Sequence, residues 1–112
     1  MHANLRDFKG AVAIVHHVQS ADDYYFLELK GTDVRLGRMY SGKVELFDQG
    51  TMENIDWATV RLVSDGTHFR GYVGSKMIVH GHAKEPAPGV SGLRWEGAGE
   101  LRIDRISVEQ IQ

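Results

Sequence analysis

Histidines, arginines and aromatic rings carry most of the chemistry this chain offers. Six histidines occur among 112 residues, and two of them, His80 and His82, lie two apart. On a strand that spacing turns both imidazoles to one face, where a pair can chelate a metal ion. Glu85 follows closely, and His16 or His68 could add a third nitrogen from a neighbouring strand. The first reading of these residues is of solvated or edge histidines with no metal cofactor. A divalent metal held by His80, His82 and Glu85 is the alternative, and a pH-sensitive contact is a third.

The second group follows from a turn. Asp65-Gly66 between Trp57–Val63 and Thr67–Val73 predicts a two-residue hairpin loop that sets Ser64 against Thr67. That register puts Leu62 opposite Phe69, Val60 opposite Gly71 and Ala58 opposite Val73, an apolar face. The other face pairs Val63 with His68, Thr59 with Tyr72 and Arg61 with Arg70. Two arginines directly across a ladder repel unless an anion lies beside them. A neighbouring-strand carboxylate such as Glu28 or Glu45 would supply one. Alternatively the face binds a ligand, with Arg61 and Arg70 as donor forks, His68 beside them, and Tyr72, Trp57 and Tyr24 as stacking surfaces. Saccharides suit such a face, because C–H faces pack on rings while hydroxyls need fixed polar partners.

The composition narrows the classes. The chain has no cysteine, which excludes disulfides, thiolate-bound zinc and thiol catalysis. Thirteen basic residues against fifteen acidic ones, with a net charge of −2, argue against a nucleic-acid binder. The longest apolar run, Ala11 to Val15, is far short of the ~20 residues of a membrane-spanning helix. The opening residues lack the apolar core of a signal peptide, so as written the chain reads as cytoplasmic. The length suits one domain, residues 1–112.

The elements that must position these residues are strands. Thirteen glycines and two prolines fit short strands joined by tight turns. Besides the two strands above, strand patterns fall near 12–17, 24–29, 34–39, 43–47, 77–80, 90–95 and 101–108, with Asp48 to Asp56 as a polar loop. No window has a helical apolar period. About nine short strands at this spacing predict an all-β, antiparallel β-sandwich of jelly-roll type. After Val73, a two-residue Gly74-Ser75 loop would give His80 the core-facing parity. A three-residue loop would bury Met77 and Val79 and set His80 beside Arg70, and the apolar pattern favours it. Gly37 and Gly71 leave room for large neighbours, and Trp57, Trp95 and Phe47 read as packing residues.

Taken in order, the segments resemble concanavalin A-like lectin/glucanase domains, nearest to the laminin-G-like and 3-keto-disaccharide hydrolase-type branch. The residues that carry the resemblance are Asp22 to Leu29, Gly42 to Leu46, the Trp57 to Gly66 hairpin, Tyr72 to Ser75, Gly89 to Leu93 and Leu101 to Val108. The resemblance spans roughly residues 8–110 and implies sugar binding. Family members usually carry further N-terminal strands, so the chain looks like a shortened version. Its last strand, Leu101 to Val108, would then be an open edge, predicted to be covered by a second copy of the chain.

The resemblance does not extend to an active site. Retaining glucanases need two carboxylates about 5–5.5 Å apart on an E-x-D-x-x-E strand. Glu53-Asn54-Ile55-Asp56 is the nearest stretch, with the wrong spacing and in a loop. Residues 74–92 come within one residue of the first metal motif of cupins, but no second motif follows. The expectation is a non-catalytic module that binds a saccharide through Tyr24, Arg61, His68, Arg70 and Tyr72. The alternatives are a 3-keto-disaccharide-type hydrolase, a small cupin-like metal enzyme, and a homo-oligomeric interaction module without a small ligand.

Overall fold

The computed structural model describes residues 2–4, 8–52, 57–99 and 102–105. All ordered elements among them are strands: β1 (His2–Asn4), β2 (Phe8–Ser20), β3 (Asp23–Lys30), β4 (Asp33–Tyr40), β5 (Lys43–Thr51), β6 (Trp57–Asp65), β7 (His68–Val73), β8 (Lys76–His82), β9 (Val90–Gly99) and β10 (Arg102–Arg105). They form two antiparallel sheets packed as a sandwich, with strand orders β10-β1-β6-β7-β8 and β5-β4-β3-β2-β9.

Alternation along each strand decides what the sandwich encloses. From the second sheet Val12, Tyr25, Leu27, Leu29, Val34 and Leu36 point inward, and they meet Val60, Phe69, Val73 and Val79 of the first. Phe69 is fully buried and stacks on Tyr25 at 5.3 Å and on Phe47 at 6.0 Å between ring centroids. Burying such a ring contributes about 1.5–3 kcal/mol, and truncating Phe69 to alanine would cost about 3–5 kcal/mol. Phe47 is thus a packing residue. Trp95 is not: it stands 60% exposed on β9, the outer strand of its sheet. Strand pairing includes Trp57, whose side chain lies outside the described residues, as do Glu53 to Asp56.

Three features depart from the sequence reading. First, β5 continues through Asp48 to Thr51, which the sequence assigns to a loop. The Asp48 carboxylate accepts the backbone N–H of His80 at 2.8 Å and so ties β5 to β8 of the opposite sheet. Second, the β6–β7 turn is centred on Gly66-Thr67, with Asp65 opposite His68. Gly66 takes φ +61°, the positive value required at the first central position of a type II′ turn. Each β6 residue therefore meets a β7 residue two places further on. Both faces keep their members, because a slip of two preserves alternation.

Third, β10 is not left without a neighbour on both sides. β1 pairs with it through His2–Arg105, Ala3–Ile103 and Asn4–Arg102, and pairs with β6 on its other side. This short N-terminal strand has too few residues to show a period in the sequence, and it takes the place next to the C-terminal strand that the sequence reading leaves open.

Candidate functional site

The outer face of β6, β7 and β8 carries Arg61, His68, Arg70 and Tyr72, as alternation requires. The pairing within it differs from expectation. Arg61 lies opposite Tyr72 and Arg70 opposite Val63, so the two arginines do not face each other. The Arg61 guanidinium carbon stands 4.3 Å from the centre of the Tyr72 ring, an attractive cation–π contact. No anion is needed to relieve repulsion. Glu28 and Glu45 belong to the other sheet, opposite Arg35 and Arg38.

Tyr24 does not join this face. It points outward from β3, in the other sheet, and so lies on the opposite side of the sandwich. The sequence shows which residues of β3 share a face, but not which sheet that face belongs to.

His80 does join Arg70, opposite it in the ladder, although by a different route from the one expected. The Gly74-Ser75 loop has two residues, with Val73 opposite Lys76. A bulge at Ile78 then shifts the parity of the rest of β8, burying Val79 and leaving Met77 48% exposed. The inserted residue gives Val79 and His80 the parity a longer loop would have given them, but not Met77. Glu85 lies in the segment after β8 and is not part of the histidine cluster that forms there.

The outer face of the β5-β4-β3-β2-β9 sheet has a more enclosed shape. A groove of about 170 Å³ is lined there by Tyr24, Phe26, Glu28, Arg35, Arg94 and Glu96, among others. Its floor is made by Ala13, Tyr24 and Phe26, with Val15, Val18 and Met39 packed against them. Small residues shape it: Ala11 and Ala13 on β2 pair directly with Glu96 and Arg94 on β9, which leaves a trough over β2. Gly37 has the same effect on β4, because a Cβ there would meet the Phe26 ring at 2.9 Å.

Arg94 crosses that trough. Its Nη1 donates to the Tyr24 hydroxyl and its Nη2 to Glu96 Oε1 at 2.9 Å. The Glu96 hydrogen bond, followed by the Tyr24 oxygen, raises the pKa of Arg94 above its ordinary value. Arg94 and Glu96 remain half or more exposed, at 50% and 70%, so their pairing adds little to folding and leaves polar atoms facing the groove. On the opposite wall the Nε of Arg35 is shielded from solvent and has no hydrogen-bond partner.

This geometry sits in a fold with a solved counterpart. Carbohydrate binding module CBM66 from Bacillus subtilis superposes with a TM-score of 0.70, covering 89% of this chain and 68% of that one at 13% identity. The chain's fold is similar to that of a carbohydrate-binding module. No family model and no curated protein matches the sequence.

Sequence reasoning passed over Arg94, Glu96 and Arg35, and set Glu28 beside Arg61 and Arg70 instead of here. The alternation Gly92, Arg94, Glu96 marks one face of β9, and Ala11, Ala13 marks a low strand. Their adjacency depends on a β2–β9 pairing between residues some eighty apart in the chain, which no local pattern reveals.

Proposed function

We propose that the chain is a non-catalytic saccharide-binding module whose ligand lies in the groove over β9, β2, β3 and β4. The observation that carries this reading is Arg94, held between the Tyr24 hydroxyl and the Glu96 carboxylate above a floor of Tyr24, Phe26 and Ala13. The apolar floor receives the C–H face of a sugar ring, while guanidinium and carboxylate groups at the rim take hydroxyls as acceptors and donors. Two arginines and two glutamates line the groove, and that balance favours a neutral saccharide over a sulfated or uronic one. The solved structure of similar fold is itself a carbohydrate-binding module.

This places the ligand on the sheet opposite Arg61, His68, Arg70 and Tyr72. Of the residues the sequence singles out for the saccharide, Tyr24 alone lines the groove. A flat face on which Arg61 already stacks on Tyr72 offers a sugar less enclosure than a trough does.

A thermal-shift screen tests the reading. Neutral mono- and oligosaccharides, uronic polymers and sulfated polymers are compared. A ligand at about 100 times its Kd adds about 2.7 kcal/mol of stability, several degrees for a domain of this size. A rise confined to neutral saccharides supports it, and a screen with no sugar response removes it.

β10 is the outer strand of its sheet among the described residues, and its side away from β1 is where a second copy of the chain would add. Light scattering on the eluting protein distinguishes a dimer from a monomer, and a monomer removes that assembly.

A further inference from the structure

The Ile78 bulge has a second consequence, on the face away from the groove. It brings His80 and His82 to the outer side of β8, where His82 stands opposite His68 of β7. The His68 and His82 rings lie 4.2 Å apart between centroids, and His80 and His82 5.1 Å apart. One ring nitrogen from each of the three lies within 4.8 Å of the others.

We propose that His68, His80 and His82 bind one divalent transition-metal ion of the Zn²⁺, Ni²⁺ or Cu²⁺ class. Imidazole nitrogens suit these borderline ions, whereas Ca²⁺ and Mg²⁺ demand oxygen ligands. Zinc–nitrogen bonds of about 2.0–2.1 Å put two nitrogens of a tetrahedral site roughly 3.4 Å apart. From 4.8 Å the rings close that distance by rotating their side chains, and His80 and His82 are exposed and free to do so.

The backbone beneath the cluster is fixed. Asp48 holds the N–H of His80, and the Ala83 N–H donates to the Thr67 carbonyl at 2.9 Å. That bond extends the β7–β8 ladder past the His68–His82 pair. Such a mount limits the ordering cost of binding.

Three protein ligands leave coordination positions open, for water or for a further donor. Asp65 stands opposite His68 in the ladder and is a carboxylate in direct register with the cluster. Among the described residues Arg70, opposite His80, is the one cation in direct register with the cluster. It works against the dication and will tune its affinity downward.

Isothermal titration of the untagged full chain with ZnCl₂, with CaCl₂ as the hard-ion control, tests the site. One Zn²⁺ per chain is expected, with no Ca²⁺ heat. His68→Ala, His80→Ala and His82→Ala should each weaken Zn²⁺ binding by at least about tenfold, and Glu85→Ala should leave it unchanged. Metal-free melting curves show whether each variant is folded, and asparagine at the same position replaces alanine in any variant that is not. Absence of Zn²⁺ binding by the wild-type chain overturns the proposal. So does binding that survives His68→Ala, which would reduce the site to adventitious chelation by β8 alone.

Discussion

Arg94 on β9 donates to the hydroxyl of Tyr24 on β3 across the full width of β2, a contact between residues 70 apart in the chain. It is possible because Ala13, directly opposite Arg94 in the ladder, has no side chain tall enough to intervene. The guanidinium is thereby held at the groove between Tyr24 and Glu96. Tyr24→Phe removes the acceptor while keeping the ring that forms the floor. It should weaken saccharide binding by roughly tenfold, the worth of one hydrogen bond to a charged group, and leave the melting temperature within a few degrees of wild type. Titration with the saccharide found in the screen measures the first, and calorimetry the second.

Arg61 makes its contact with Tyr72 on the other side of the sandwich. Were it opposed to Arg70, an uncharged replacement would raise stability. With the observed pairing Arg61→Ala loses a cation–π contact and should cost about 0.5–1 kcal/mol at this exposed position. A denaturant midpoint that moves up instead of down would contradict that geometry.

His16 points into the core, 5% exposed, against Tyr25 and Phe69. Its Nδ1 lies 2.8 Å from Nδ1 of His17, and its Nε2 is buried without a partner. Burial first, and the neighbouring His17 second, push its pKa down to about 3; burial also lowers that of His17. The folded chain therefore holds His16 neutral where an unfolded chain would protonate it, below about pH 6.5. The unfolded state binds the extra proton, so stability is full above that pH and declines as pH falls toward 3, by on the order of 1 kcal/mol per pH unit. His16→Leu should flatten that part of the profile. Urea unfolding from pH 7.5 to pH 4 reads the slope, and an unchanged slope in the variant would assign the acid sensitivity elsewhere.

Gly71 lies where Leu27 of the opposite sheet and Val79 of the next strand converge. A Cβ there would sit 2.7 Å from a methyl of each. Gly71→Ala should destabilise the fold by about 1–3 kcal/mol through overpacking, whereas alanine at a site with space would be neutral. Thermal melting decides between them.

The strands and their faces were legible because burial imposes alternation. Tyr25, Leu27 and Leu29 could not sit inside without sending Tyr24, Phe26 and Glu28 outward. The all-β sandwich follows from that pattern repeated between turns. What escaped was whatever depends on a single inserted residue or on distant pairing. Asp65-Gly66 and Gly66-Thr67 both make plausible turn centres with Gly66 at positive φ, and what separates them is the pairing of Asp65 with His68 and the ordinary negative φ of Asp65. The Ile78 bulge leaves no compositional mark, yet it decides whether His80 faces the core or His68's side. The groove needs β9 beside β2, a neighbour relation set by topology and not by either strand's own residues.

The central claim is that a neutral saccharide binds over Arg94 and Tyr24. Titrating wild type, Arg94→Ala and the Arg61→Ala/Arg70→Ala double variant with the same oligosaccharide tests it most directly. Loss of a charged donor to sugar hydroxyls is worth about 1.5–3 kcal/mol. Arg94→Ala should therefore bind roughly ten- to a hundredfold more weakly, while the double variant binds as wild type does. Binding that persists in Arg94→Ala and disappears in the double variant would move the ligand to the other sheet and contradict the account.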